Sequence, residues 1–384
     1  MYNKGPIKIG VLFSETGVTS MIGRSQFQGT LLAVEEINEG GGIDGRELVP
    51  IVYDAQSSPV LYASLAEQLI IQDKVNVIFG CYMSSSRKAV LPIVEKWDKL
   101  LFYPTLYEGF EFSSNIIYTG AAPNQNSVQL AEFMTSNFGA SVYLIGSDYI
   151  YPYESNRIMS DLVLQRSNSQ RIGEQYVPLN ACQKDFTPIM KDIRNKSPDF
   201  IFSTVVGDST ANLYRAYAES GFNSKTMPIA SLTTSESEIS QMGVEIAIGH
   251  ITAATYFQSI NSLINKKFIN SLYKKYNKEC IPNLYVEAAY FQMHMYANAY
   301  RQAGSDEIGK LLPSLLGSEF IAPQGRVRID PTNHHTSHYP RIGIANSKGQ
   351  FTIVREANRP VQPDPYLVTH SLGDWAAVLS TVEL

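Results

Sequence analysis

The chain has 384 residues, 44% of them apolar and 17% charged, with a formal net charge of −5. Low hydrophobicity joined to high net charge marks disorder, and this chain has neither; its acidic balance also lacks the basic excess of a nucleic-acid footprint. The length predicts two or three domains at about 100–200 residues each, and no stretch approaches the roughly 18 apolar residues that span a bilayer.

Ile7–Phe13 reads as the first strand, too short for the apolar core of a signal peptide. With Met1 as the natural start the expectation is a cytoplasmic protein; loss of a leader would make it a periplasmic one. A helix is predicted over 25–38, with Phe27, Leu31, Val34 and Ile37 on one face. A glycine turn at 40–45 leads into a strand at 48–53. A helix at 59–72, a strand at 75–79 and a helix at 84–99 follow, and the strand 100–103 closes the series. The rhythm then restarts: helix 124–137, strand 141–145, helix 153–167, strand 171–177, helix 186–195, strand 200–204, helix 209–220 and strand 227–230. Short apolar strands alternating with amphipathic helices make βαβ units and parallel sheets, so the predicted fold class is α/β in two successive series. Beyond about Gly249 the rhythm breaks. A strand at 251–254 precedes helices at 262–276, 284–303 and 305–316, then strands at 326–329, 341–345 and 351–355, and a tail with Pro360, Pro363 and Pro365. Such a block suits a chain that recrosses between two lobes. No repeat of roughly 20–50 residues is present.

The search for chemistry mostly excludes. No phosphate loop of the GxxxxGK[ST] type occurs, and the first strand-to-helix turn, Gly10 to Gly17, lacks the GxGxxG spacing. The turn at 40–45 enters a strand and so aims no helix at a phosphate. No GxSxG elbow exists, and Ser85-Ser86-Arg87-Lys88 matches SxxK without its companion motifs. Cys81, Cys182 and Cys280 form no CxxC or Cys/His cluster and read as free thiols of a reducing compartment. Of the histidines His250, His294, His334, His335, His338 and His370, three crowd at 334–338, with no carboxylate or cysteine at ligand spacing. They read as solvated or packed, and His294 as a satisfied helix residue. No cofactor and no metal is expected.

The segments that follow the strands stand out. They are Gly80 to Lys88, Tyr103-Pro104-Thr105-Leu106-Tyr107, Gly146-Ser147-Asp148-Tyr149-Ile150-Tyr151, Thr204 to Ser209 and Ser231-Leu232-Thr233-Thr234-Ser235. Ligands of open α/β sheets bind outside the carboxyl ends of the strands. A rim of Tyr, Ser and Thr with little charge suits a small neutral ligand with donors and acceptors. The helix start at Ser84 offers N–H groups for a carbonyl. Ser84 serves equally well as a helix cap and the tyrosines as packing, and pattern alone does not choose.

These segments resemble the periplasmic-binding-protein type I family, in its branched-chain amino acid, amide and urea branch. The likeness is carried by Leu12-Phe13-Ser14-Glu15-Thr16-Gly17-Val18, the Glu39 to Arg46 turn with its strand ending at Asp54, and residues 80–90, 103–110, 146–156, 203–207 and 231–236. Ala122-Pro123-Asn124-Gln125-Asn126-Ser127 and Pro363-Asp364-Pro365-Tyr366 add to it. The nearest resemblance is to the amide-sensing regulators of aliphatic amidase operons. It implies two lobes, each a parallel sheet flanked by helices, with three crossovers and the ligand in the cleft. Lobe I is expected at 1–121 plus 252–330, and lobe II at 122–251 plus 331–384. The implied ligand set is Tyr82, Ser84, Tyr103 and Thr105 with Tyr149, Tyr151, Val205 and Thr233. Leu106 stands where the family has proline, which bears on amide chain length. Urea binders tend to carry tryptophan at the place of Tyr82 and valine at that of Thr105. The implied role is a non-catalytic sensor of short amides such as acetamide. It would sequester an RNA-binding antitermination protein and release it on binding amide, as a homo-oligomer touching neither nucleic acid nor membrane. The alternative is a solute receptor of an ABC uptake system for urea, short amides or branched-chain amino acids. An amidase acting through Cys81 is a third reading, without an identifiable base.

Overall fold

The computed structural model describes residues 5–368 and 379–381, so His370 lies outside the described residues. The chain forms two compact units. One comprises the chain up to Leu106, Glu111–Gly120 and Ser262–Ser337; the other comprises Tyr107–Phe110, Ala121–Asn261 and the chain from His338 on.

The first unit is built on strands β1 (Ile7–Phe13), β2 (Leu48–Asp54), β3 (Val77–Gly80), β4 (Leu100–Tyr103) and β5 (Ile116–Tyr118). They lie in the order β2-β1-β3-β4-β5, all parallel. Successive strand residues face opposite sides. Ile7, Ile9, Val11 and Phe13 therefore join one core with Ala33, Val34 and Ile37 of the Ser20–Glu39 helix and with Phe291, Met295 and Tyr296 of the Leu284–Ala303 helix. Gly29 lets these two helices touch, because a Cβ there would stand 2.2 Å from the Val286 carbonyl oxygen. On the other face Gly10 meets Leu69 of the Pro59–Ile71 helix, which packs beside the Ser84–Lys96 helix.

The second unit repeats the plan. Strands β6 (Ser141–Ser147), β7 (Gln170–Val177), β8 (Phe200–Thr204), β9 (Ile229–Ser231) and β10 (Ile251–Ala254) run parallel in the order β7-β6-β8-β9-β10. The chain then returns to the first unit for a small antiparallel sheet, β11 (Glu319–Ala322), β12 (Gly325–Ile329) and β13 (Thr336–Ser337). It ends by extending the second sheet from β10 with antiparallel β14 (Arg341–Ala345), β15 (Phe351–Ala357) and β16 (Leu379–Thr381).

The two parallel series are those the alternating pattern predicts, with three differences. The first series closes on β5 rather than β4, because β5 has three residues and shows no alternation. A helix, Glu236–Met242, follows β9 where none is expected; its first turn carries Glu236 and Glu238, which are polar in sequence yet buried. The units divide at 261/262 and 337/338 instead of 251/252 and 330/331, since β10 pairs with β9 and β14 in the second sheet while β13 pairs with β12 in the first unit.

Candidate ligand-binding site

Strand order 2-1-3-4-5 puts a topological switch point between β1 and β3, and again between β6 and β8, and ligands sit at the carboxyl ends there. In the first unit β1 runs into Ser14, whose hydroxyl bonds Tyr62 Oη at 2.9 Å, and Asp54 holds the Glu15 and Thr16 amides. β3 runs into Cys81, a buried non-glycine residue with φ of +69°, a conformation seldom held without a local reason. Tyr82 follows, its ring edge-on to Tyr285 with centroids 5.5 Å apart.

The four expected residues of this unit are buried and knit together. Tyr103 Oη donates to the Tyr82 carbonyl at 2.7 Å, and Thr105 Oγ1 approaches the Cys81 carbonyl at 3.4 Å. Ser84 opens the Ser84–Lys96 helix; the cap position itself belongs to Met83, whose side chain makes no cap bond. Ser84 Oγ accepts from Arg87 Nη1 at 3.2 Å. Arg87 is wholly buried, lies 4.9 Å over the Tyr103 ring and donates to Glu111 at 2.6 Å. Burial works to raise the Glu111 carboxyl, but the Arg87 charge and hydrogen bonds outweigh it and hold the group down at about 2. The segment after β3 thus carries a matched ion pair rather than a loose charge.

In the second unit Tyr149 and Tyr151 follow β6, half-buried and buried respectively, with ring centroids 6.2 Å apart. The Ser147 hydroxyl accepts from the Val206 amide at 3.2 Å and so ties the β6 end to the β8 end. Val205 is fully buried, and its carbonyl accepts from Thr210 Oγ1 at 3.0 Å and from Thr233 Oγ1 at 3.3 Å. Thr233 takes its place through its amide, which donates to Ser231 Oγ at 3.0 Å. Three residues on, burial pushes the Glu236 carboxyl up to about 8; one oxygen accepts from the Gln258 amide at 2.7 Å and the other has no partner.

Within each unit, then, the expected residues stand in the segments that follow the carboxyl ends of the strands. Sequence reasoning missed Arg87, and also Gln26, whose Nε2 donates to Thr105 Oγ1 at 2.9 Å. A lone glutamine within a helix gives no sequence signal. The SxxK match dissolves: Lys88 Nζ is taken by Glu111 at 2.9 Å. Burial pushes the Cys81 thiol well above its ordinary range, which leaves no thiolate for nucleophilic work. His334 packs edge-on to Phe112, while His335 stacks on Tyr118 at 4.1 Å. Burial holds His250 and His335 down at about 3, so both stay neutral. Among the described residues no three of His, Cys, Asp and Glu stand together as a metal site, and no helix is long and apolar enough to cross a membrane.

Residues 7–372 match the family of the periplasmic binding protein domain. The chain belongs to that family, of type I. A Leu/Ile/Val-binding protein homolog 6 of Brucella suis is 24% identical over 339 residues, covering 86% of this chain and 85% of that protein. A limonene hydroxylase of Geobacillus stearothermophilus is 33% identical over 135 residues, 35% of this chain and 24% of that one. Among solved structures, the solute-binding protein of an ABC transporter from Rhodopseudomonas palustris, in complex with p-hydroxybenzoic acid, superposes with a TM-score of 0.83 at 22% identity, covering 94% of this chain and 99% of that chain.

Proposed function

We propose that this chain is a non-catalytic binding protein for a small, uncharged, carbonyl-bearing solute, a short aliphatic amide or urea. The observation that carries this reading is the neutral make-up of the sheet ends: phenols and hydroxyls, with the buried cations Arg87 and Arg341 already matched by Glu111 and Glu356. A carboxylate ligand is held most strongly by an uncommitted cation. An amino acid needs an anion for its ammonium. Asp208 is exposed and accepts from Gln241 at 2.8 Å, and Glu236 is held toward its protonated form. The limonene hydroxylase likeness spans about a third of the chain.

The binding-protein relatives favour a receptor role in solute uptake over a regulatory one. The resemblance of the Tyr82 to Thr105 and Tyr149 to Tyr151 segments to amide-sensing regulators supports a second reading, in which bound amide releases an RNA-binding antitermination protein. Titration calorimetry with acetamide, propionamide, butyramide, urea, isoleucine and p-hydroxybenzoate tests the shared core. Heat is expected from an amide or urea, and silence from those four removes the proposal. Ser84→Ala and Thr105→Val each weaken binding by about tenfold, as loss of a buried hydrogen bond does. Capture of an antitermination protein that acetamide reverses would favour the regulator; capture of permease subunits would favour uptake.

A further inference from the structure

Gln26 is fully buried on the Ser20–Glu39 helix. Its Nε2 is spent on Thr105 Oγ1, while its Oε1 has no hydrogen-bond partner. A buried acceptor without a donor is a standing penalty, and such atoms in native proteins call for a reason. Because Thr105 Oγ1 accepts from Gln26, its own proton is left to donate. Among the described residues that proton finds only the Cys81 carbonyl, at a long 3.4 Å. A hydroxyl with a proton to give and an empty acceptor for an N–H therefore stand on neighbouring side chains, both within the first unit.

We propose that Gln26 is a specificity residue: its Oε1 accepts an N–H of the ligand while the Thr105 hydroxyl donates to the neighbouring carbonyl oxygen. This rests on the amide reading and adds a rule to it. The site selects a carbonyl with an N–H beside it, so primary and secondary amides and urea bind where esters of the same shape do not. N-methylacetamide and methyl acetate are near-isosteres that differ by that one N–H. Calorimetry on the full chain is expected to show N-methylacetamide bound about tenfold more tightly than methyl acetate, the size of one buried polar group left unpaired. Gln26→Leu removes the acceptor and collapses that gap, chiefly by weakening the amide. Gln26→Glu keeps an acceptor of the same reach and retains the gap. Circular dichroism of each variant reports the fold, and if Gln26→Leu does not fold, the wild-type pair and Gln26→Glu decide. Equal binding of the two ligands by the wild type, or an unchanged gap in folded Gln26→Leu, overturns the assignment while leaving the amide reading standing. Failure of acetamide, N-methylacetamide and urea all to bind the wild type overturns that reading, and the assignment with it.

Discussion

The two sheets share one strand order and differ in what stands at their carboxyl ends. In the first unit the β3 end is locked: Cys81 holds positive φ, and Tyr103 and Thr105 reach back to the Tyr82 and Cys81 carbonyls above a buried ion pair. In the second, Val205 after β8 and Thr233 after β9 are tied by neutral bonds, and the buried acids Glu236 and Glu238 sit on the helix that follows β9. Topology thus fixes where a ligand can be read, and the local polar network decides how. The first unit buries charge and compensates it. The second keeps its acids buried, and burial raises both carboxyls toward neutrality.

The sharpest break of this contrast is Arg87→Leu. It leaves the nearly buried Glu111 with the half-exposed Lys88 and the Tyr118 hydroxyl, which donates at 3.1 Å, and removing one partner of a buried pair costs about 3–5 kcal/mol; the low end is expected here because Lys88 and Tyr118 remain. Urea unfolding monitored by circular dichroism measures it. The pH dependence follows from the same pair. Glu111 sits at about 2 in the fold against an ordinary 4.5, so its contribution is complete above 4.5 and drains as pH falls from 4.5 toward 2. Glu111→Gln should flatten the stability profile in that window.

Gly120→Ala comes next. A Cβ there would stand 2.0 Å from the Thr105 carbonyl carbon and 2.1 Å from its oxygen, backbone atoms that cannot swing away. Overpacking of this kind costs about 1–3 kcal/mol, and ligand affinity should fall with stability because Thr105 moves. Affinity unchanged in a folded variant would separate Thr105 from the site.

Glu236→Gln probes the other unit. The carboxyl is raised to about 8 from 4.5, so its neutral form is bound fully below pH 4.5 and the stability it confers is lost as pH rises from 4.5 through 8. The glutamine variant should lose that decline, read as the difference in melting temperature between pH 5 and pH 8. Amide affinity should stay level across the same range. An affinity that needs Glu236 ionised would point to an ammonium-bearing ligand instead.

Much of this architecture is legible in the residues alone. β1 and β6 are apolar runs followed by amphipathic helices, and the strand ends stand out by their tyrosines and hydroxyls. What is not legible has physical reasons. β5 is too short to show a period, and the Glu236–Met242 helix hides its buried acids behind a polar sequence. The Arg87–Glu111 pair joins residues 24 apart that no local pattern connects, and Gln26 meets Thr105, 79 positions on, only because the fold delivers its amide there.

The smallest effect comes from the helix that carries the largest. Arg87 and Lys96 both lie on Ser84–Lys96, and both pair with a glutamate, Lys96 with Glu67 at 3.0 Å. The Lys96 side chain is 60% exposed, where Arg87 is 0%. Water screens an exposed pair and holding two long side chains in one geometry costs entropy, so such pairs add little. Trp97 Nε1 also donates to the same Glu67 oxygen at 3.3 Å, which leaves that oxygen partnered when the lysine is gone. Lys96→Ala should therefore leave the urea midpoint unchanged within measurement scatter, at low salt and high salt alike. A drop approaching that of Arg87→Leu would mean that burial is not what separates the two pairs, and the account of the segment after β3 as carrying a buried, compensated charge would lose its basis.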